Sequence, residues 1–228
     1  MPIATVRSLH RTYAQAGQQV TALAGVDLDI EPGEFTALMW PSGSGKTTLL
    51  NAMGGLDRPT SGSVVVDGVE LTTLGSAALG DLRLQRIGFI FQSYNLVPVL
   101  TAYENAEFVM LLQGVPPAQR RERVMQTLAD VGLQGLENRL PSELSGGQQQ
   151  RVAVARAIAS QPALVLADEP TANLDSKTGH ALIDLMRGLN ADKGITFVFA
   201  THDAKVLDAA RRVVHLVDGR IDQDERRA

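Results

Sequence analysis

Glycine, lysine and threonine come together in one stretch in an order that can grip phosphate. In Trp40-Pro41-Ser42-Gly43-Ser44-Gly45-Lys46-Thr47-Thr48, Gly43 and Gly45 let the backbone amides turn inward, and Lys46 supplies a mobile ammonium. Thr47 offers a hydroxyl that can ligate Mg²⁺. The apolar run Phe35-Thr36-Ala37-Leu38-Met39 precedes the stretch and Leu49-Leu50-Asn51-Ala52-Met53 follows it. The loop therefore joins a buried strand to a helix, whose N-terminus adds partial positive charge. Position 40, where the full phosphate-loop pattern has glycine, holds tryptophan; as bare letters the stretch also fits an ordinary Gly/Ser-rich strand-to-helix turn.

Three further apolar runs end in polar residues: Arg86-Ile87-Gly88-Phe89-Ile90-Phe91 at Gln92, Ala163 to Ala167 at Asp168-Glu169, and Phe197 to Thr201 at His202. In an open parallel sheet, ligands bind outside the carboxyl ends of the strands, so four such ends can converge on one ligand. Asp168 is placed to hold Mg²⁺ through water, and Glu169 to orient or deprotonate an attacking water. Two adjacent acids before Pro170 can equally begin a turn. His202 sits where an imidazole reaches a γ-phosphate oxygen, whereas His10, His180 and His215 read as structural or exposed. Gln92 can bring a neutral amide to the Mg²⁺ or the water. In Leu144-Ser145-Gly146-Gly147-Gln148-Gln149-Gln150-Arg151, Ser145 can cap a helix, and the two glycines leave its amides open as a second anion site. Two anion sites on one chain make sense if two copies pair head to tail, each offering this helix end to the nucleotide held by the other.

The elements that would position these residues form an α/β pattern. Residues 3 to 35 read as short strands with turns, Val26, Leu28 and Ile30 alternating with Asp27 and Asp29; a strand at Ser63 to Asp67 leads to the Asp67-Gly68 turn. From Thr101 to about Leu140 the pattern is helical. Val124, Leu128 and Val131 share one face, and Arg120, Arg121, Glu122 and Arg123 read as a solvated one. A helix begins near Ser145 and ends by Pro162, another spans about Lys177 to Leu189, and the strands Ile195 to Ala200, Val213 to Val217 and one around Ile221 follow, the last two joined by Asp218-Gly219. The closing Asp-Gln-Asp-Glu-Arg-Arg reads as a disordered tail. The apolar residues beyond Gln92, namely Tyr94, Leu96, Val99, Leu100 and Tyr103, read either as an exposed socket for a short helix of a membrane subunit or as core of the helical lobe.

At 228 residues the chain suffices for one sizeable α/β domain. Lys+Arg 21 against Asp+Glu 25 leaves −4 with the signs mixed along the chain, which gives no basic footprint for nucleic acid. Absence of cysteine excludes disulfides and fits a reducing compartment. The N-terminus lacks the apolar core of a signal peptide, and no apolar run approaches ~18 residues, so a soluble protein is expected.

The Leu-Ser-Gly-Gly-Gln stretch, followed by Asp168-Glu169-Pro170-Thr171, resembles the nucleotide-binding subunit of an ATP-binding cassette (ABC) transporter across essentially the whole chain. The resemblance implies a single domain over 1–228, with an antiparallel β lobe within about 1–35 and 60–72, a helical lobe at about 93–160, and a phosphate-loop ATPase core with a mostly parallel sheet from the remainder. Its ligands would be ATP and Mg²⁺. Tyr13 would stack on adenine, although from the residues alone it also fits an aromatic covering the small sheet. Ser42, Gly43, Ser44, Gly45, Lys46, Thr47 and Thr48 would surround the phosphates. Gln92 would be the lid glutamine, Asn173-Leu174-Asp175 the loop crossing a dimer interface, and His202 the switch histidine. Ser145, Gly146, Gly147 and Gln148 would meet the nucleotide of the second copy. Glu169, His202, Gln92 and Lys46 would carry catalysis, with Thr47, Gln92 and Asp168 around the metal.

Within the family, Gly54-Gly55-Leu56-Asp57-Arg58-Pro59-Thr60-Ser61-Gly62, Phe91 to Pro98, Leu100 to Asn105 and Leu174 to Gly179 resemble the lipoprotein-release and macrolide-export branch. That branch implies an integral membrane permease partner and a place at the cytoplasmic face of the cell membrane. The alternative is a nucleotide-dependent regulator or scaffold of a membrane complex that moves no substrate. Trp40 in place of the family's glycine would either strain the nucleotide-bound loop by roughly 1–3 kcal/mol and weaken activity, or point its ring away from the phosphates onto the neighbouring lobe and change nothing.

Overall fold

The computed structural model describes residues 1–15, 18–39 and 46–227, with the side chains of Gln15, Lys46 and Lys205 outside that description. Two sheets organise the chain. β1 (Ala4–Gln15) and β2 (Gln18–Ile30) form a long antiparallel pair in which Ala4 faces Ile30 and Tyr13 faces Val20. The expected short strands are thus two strands of 12 and 13 residues. The alternation is broken by register shifts, one of them beside Ser8 at φ +44°, which disguises the continuous pairing. β4 (Ser61–Val66) pairs with the free edge of β1, and β5 (Val69–Glu70) closes the sheet after the Asp67-Gly68 turn, both residues of which have positive φ.

The second sheet has six strands in the order β10-β9-β3-β8-β7-β6. β3 (Phe35–Met39), β6 (Ile87–Ile90), β7 (Leu164–Asp168), β8 (Phe197–Thr201) and β9 (Arg212–Val217) run parallel, and β10 (Arg220–Arg226) is antiparallel at the edge. Period-two alternation in the buried strands separates two cores. Phe35, Ala37, Val165, Ala167, Phe197 and Phe199 face one side. Leu38, Leu164, Leu166, Val198 and Ala200 face the other.

Helix α1 (Lys46–Met53) packs Leu49, Leu50 and Met53 into the second core, with α2 (Ser76–Arg86) and the four-stranded sheet. On the opposite face lie α3 (Ala102–Leu112), α4 (Pro117–Asp130), α5 (Gly146–Ile158), α6 (Ser176–Lys193) and the short α7 (Ala204–Ala209). Val124, Leu128 and Val131 are fully buried, as their spacing implies. α6 runs past the expected Leu189 and ends at Gly194, whose φ of +67° makes a left-handed cap. Asn105 is buried and anchors the loop ahead of α3: its Nδ2 donates to the carbonyls of Val97, Leu100 and Thr101, and its Oδ1 accepts from Val97 N at 2.8 Å.

Two readings of charge need correction. Arg121, Glu122 and Arg123 are exposed, but Arg120 is pinned by its Nε to Glu107 at 2.6 Å and by its Nη1 to the Val115 carbonyl at 2.6 Å. The strand expected around Ile221 is present, and it continues through the charged tail as β10. Arg212, with a side chain 8% exposed, donates to both Asp224 oxygens at 2.8 and 2.7 Å and to Glu34 at 2.9 Å. Ion pairs and ladder bonds hold this strand where apolar burial does not, so its composition resembles that of a free tail. Among the described residues no helix is long and apolar enough to cross a membrane.

Candidate functional site

Because β3, β8, β7 and β6 are adjacent and parallel, their carboxyl ends lie along one edge of the sheet. That edge collects the four polar strand ends. α1 is the next described element after β3, and its Thr47 Oγ1 donates to Asp168 Oδ2 at 3.1 Å. The chain leaves β7 through Glu169, held at φ +44° with its N–H donating to the Ala200 carbonyl at 2.9 Å. A non-glycine residue in the left-handed region is uncommon and strained, and here it turns the buried carboxylate toward the end of β8. Glu169 Oε2 accepts from Thr201 Oγ1 at 3.3 Å. His202 Nδ1 lies 2.6 Å from Glu169 Oε1, the ring N–H donating to the carboxylate, while the imidazole itself is 61% exposed. Asp203 N donates to Thr201 Oγ1 at 3.0 Å, and Thr171 Oγ1 donates to Asp203 Oδ2 at 2.6 Å, which ties the turn after β7 to the turn after β8. A cleft of about 380 Å³ opens against Glu169, Thr171, Leu174, His202 and Asp203.

Gln92 follows β6, is exposed, and its carbonyl accepts from Asn173 Nδ2 at 2.9 Å. Tyr13 reaches the same region from β1. Its hydroxyl donates to Asp57 Oδ2 at 2.5 Å and lies 3.4 Å from Thr48 Oγ1 on α1. Trp40, Ser42, Gly43, Ser44, Gly45 and the Lys46 side chain lie outside the described residues.

The glycine-rich helix start is assembled elsewhere. Ser145 caps α5 with a reciprocal box: its Oγ accepts from Gln148 N at 3.3 Å, and Gln148 Oε1 accepts from Ser145 N at 2.8 Å. An added Cβ on Gly147 would come 2.4 Å from Thr178 Cγ2, and one on Gly146 would come 3.1 Å from Tyr94 Oη. Tyr94 Oη donates to the Asn173 carbonyl at 3.4 Å, so the loop after Gln92, the 173–175 loop and the α5 start form one junction. Asp175 caps α6, and its hydrogen bonds from Thr178 hold its carboxyl below the usual range. α1 and α5 pack into different cores, on opposite faces of the six-stranded sheet. The structure therefore brings Thr47, Asp168, Glu169, His202, Gln92 and Tyr13 to one region and keeps Ser145, Gly146, Gly147 and Gln148 apart from α1.

Of the two readings of the apolar residues beyond Gln92, burial favours core over socket. Leu96 and Tyr103 pack on the core, and Val99 alone of the five is strongly exposed. The apolar cleft, about 380 Å³, is lined instead by Leu56, Phe89, Phe91, Phe108 and Val109 with Arg156. Strand β6 is an edge strand on which Phe89 is only partly buried, which a reading by short apolar runs does not reveal. A larger cleft of about 660 Å³ lies at the amino ends of β7 and β8 and includes none of the expected site residues. Sequence reasoning missed Arg11, Asp57, Thr171, Thr178 and Asp203. Asp57, Thr171 and Thr178 lie inside the stretches that carry the family resemblance, and Asp203 is next to His202.

The model of the ABC transporter family matches residues 23–172. An uncharacterized ABC transporter ATP-binding protein of Thermotoga maritima is 48% identical over 217 residues, spanning 95% of this chain and 92% of that protein. The lipoprotein-releasing system ATP-binding protein LolD of Chromohalobacter salexigens is 43% identical over 216 residues, spanning 95% and 91%. Among solved structures, the dimeric post-hydrolysis state of the ATP-binding cassette MJ0796, bound to ADP and Pi, superposes with a TM-score of 0.88 at 40% identity and 98% coverage of both chains. MJ0796 is a protein of Methanocaldococcus jannaschii. Fold, site geometry and near full-length similarity agree: the chain belongs to the ABC transporter family.

Proposed function

We propose that this chain is the ATP-binding and ATP-hydrolysing subunit of a transporter, driving an integral membrane permease by ATP-dependent head-to-tail closure of two copies at the cytoplasmic face of the cell membrane. The observation that carries this reading is the placement of α1 and α5 on opposite faces of one sheet. A nucleotide held at the start of α1 in one copy is then met by the start of α5 from the other, and a twofold axis makes both sites alike. The dimeric, ADP-and-Pi-bound relative supports the same arrangement.

The residues fit Mg²⁺. A hydroxyl and a carboxylate oxygen, Thr47 and Asp168, stand 3.1 Å apart, and no cluster of three or more His, Cys, Asp or Glu lies among the described residues. This suits a hard cation that keeps waters and takes its remaining oxygens from phosphates. Thr47, Asp168 and Gln92 would hold it, and when bound it would neutralise charge on the β and γ oxygens. Lys46 and the loop amides would stabilise the same oxygens. Glu169 would take the proton of the attacking water. The Nδ1 bond to Glu169 orients the His202 ring, leaving Nε2 for a γ-phosphate oxygen. Tyr13 would stack on the base, and Ser145, Gly146, Gly147 and Gln148 of the second copy would close over the phosphates. The apolar cleft of Leu56, Phe89, Phe91, Phe108 and Val109 would receive a short helix of the permease.

Phosphate release from Mg-ATP by the purified chain, alone and with the permease that co-purifies from native membranes, tests the reading. Hydrolysis that Asp168→Asn abolishes is expected. Absence of hydrolysis in both wild-type preparations would overturn it.

A further inference from the structure

Tyr13 is held more firmly than a ring needs to be merely to cover a sheet. Arg11 and Tyr13, two residues apart on β1, share a face, and the Arg11 guanidinium carbon lies 4.4 Å from the Tyr13 ring centroid. The same guanidinium donates to both oxygens of Asp57, from Nε at 2.9 Å and Nη2 at 2.6 Å. Asp57 Oδ2 also accepts the Tyr13 hydroxyl at 2.5 Å. One carboxylate thus fixes the edge of the ring and the cation that covers one of its faces. Both members of the ion pair are less than a quarter exposed, so the pair is not a loose surface contact.

Asp57 lies on a strap between the end of α1 and β1. The amides of Leu56 and Asp57 donate to the Asn51 carbonyl at 2.8 and 3.3 Å. Further along, Thr60 N donates to the His10 carbonyl at 2.8 Å, and Thr12 N donates to Thr60 Oγ1 at 3.0 Å. Gly62 passes so near β1 that a Cβ would lie 2.4 Å from the Ser8 carbonyl. The strap therefore sets the height of the Tyr13 ring relative to the helix that begins at the phosphate loop.

We propose that Arg11 and Asp57 are positioning residues for base recognition: they fix Tyr13 as a one-sided stacking platform, Arg11 closing one face and leaving the other for a purine base. The inference rests on the ATP reading above and deepens it. With the ring fixed in advance, base binding spends no free energy on ordering it. On this proposal the phosphate contacts are made independently of it.

The test is calorimetry of the full chain with Mg-ATP and, separately, with Mg-tripolyphosphate, which has the phosphates and no base. Asp57→Asn, Arg11→Lys and Tyr13→Phe should each weaken Mg-ATP about threefold to tenfold. Each should leave tripolyphosphate within about twofold, a split that general loss of structure would not produce. The double variant Tyr13→Phe with Asp57→Asn should be no weaker than either single one. Equal weakening of both ligands, or of neither, overturns the proposal. Tyr13→Ala separates the levels: if it weakens ATP and the Arg11 and Asp57 variants do not, this inference alone fails. If Tyr13→Ala also has no effect, the stacking role of Tyr13 fails with it, and if the wild type binds neither ligand, the ATP reading itself falls.

Discussion

Replacing Gly147 by alanine probes the junction where the α5 start meets α6. The new Cβ would lie 2.4 Å from Thr178 Cγ2, a distance at which one of the two must move. Thr178 is poorly able to do so. Its Oγ1 donates to Asp175 Oδ2 at 2.5 Å and its N–H to Asp175 Oδ1 at 3.0 Å, so rotating the side chain breaks a bond to the residue that caps α6. A β-branched residue in a helix also has few alternative rotamers. Overpacking of this kind costs about 1–3 kcal/mol, and the helix propensity gained over glycine returns at most about 1 kcal/mol. Gly147→Ala should therefore destabilise by about 1–2 kcal/mol. Thr178→Ser removes the offending methyl while keeping the hydroxyl, and alone it should cost no more than about 0.8 kcal/mol. In the Thr178→Ser background Gly147→Ala should become nearly neutral, a coupling of about 1–2 kcal/mol. Urea denaturation with an unchanged slope measures this. Additive costs, or no cost for Gly147→Ala alone, would refute the argument. ATP hydrolysis by the double variant should remain low, because the added methyl still stands at the helix end that the proposed dimer offers to the second copy's nucleotide.

Three other outcomes are expected. Trp40→Gly should bind Mg-ATP about tenfold to a hundredfold more tightly and hydrolyse it faster; as Trp40 is the only tryptophan, its fluorescence follows the wild-type titration, and equal affinities by calorimetry would remove the strain. Asp224→Asn should destabilise at neutral pH by a margin that shrinks on acidification. Hydrogen bonding from Arg212 holds the Asp224 carboxyl below 3.8 in the folded chain, so its contribution is present above the unfolded value and lost as pH falls through the folded one. A margin independent of pH down to about 2 would contradict this. Asn105→Ala should cost about 1–3 kcal/mol, since the Val97 amide and three loop carbonyls lose a buried partner, and a loss below 0.5 kcal/mol by the same denaturation assay, on the order of an ordinary surface change, would refute it.

What could be read from the sequence followed burial. The five-residue runs at Phe35, Leu164 and Phe197 are covered on both faces, so their apolar composition announced buried strands and their polar ends marked the site edge. Ser145 and its glycines announced a capped helix start, and that cap is present. Features held by paired polar groups were illegible. The strand around Ile221 was legible from the Asp218-Gly219 turn before it, but its charged continuation depends on Arg212 meeting Asp224 and Glu34, residues 12 and 178 positions away, and no local pattern records such a pairing. The same holds for Asp57 with Arg11, 46 positions apart, and for Thr171 with Asp203, 32 apart. The bulged β1–β2 pair was split into short pieces because a register shift reverses the alternation on which the reading depends.

The most direct test of the central claim is the mass in solution of the Glu169→Gln variant with and without Mg-ATP, measured by light scattering on a sizing column beside the wild type. Glu169 carries the carboxylate bonded to His202 and Thr201, and its amide replacement keeps the shape while removing the proposed base. The account predicts a variant that binds ATP, hydrolyses it far more slowly than wild type, and runs as two copies only when Mg-ATP is present. A variant that stays at one copy with ATP bound, or that hydrolyses at the wild-type rate, would contradict it.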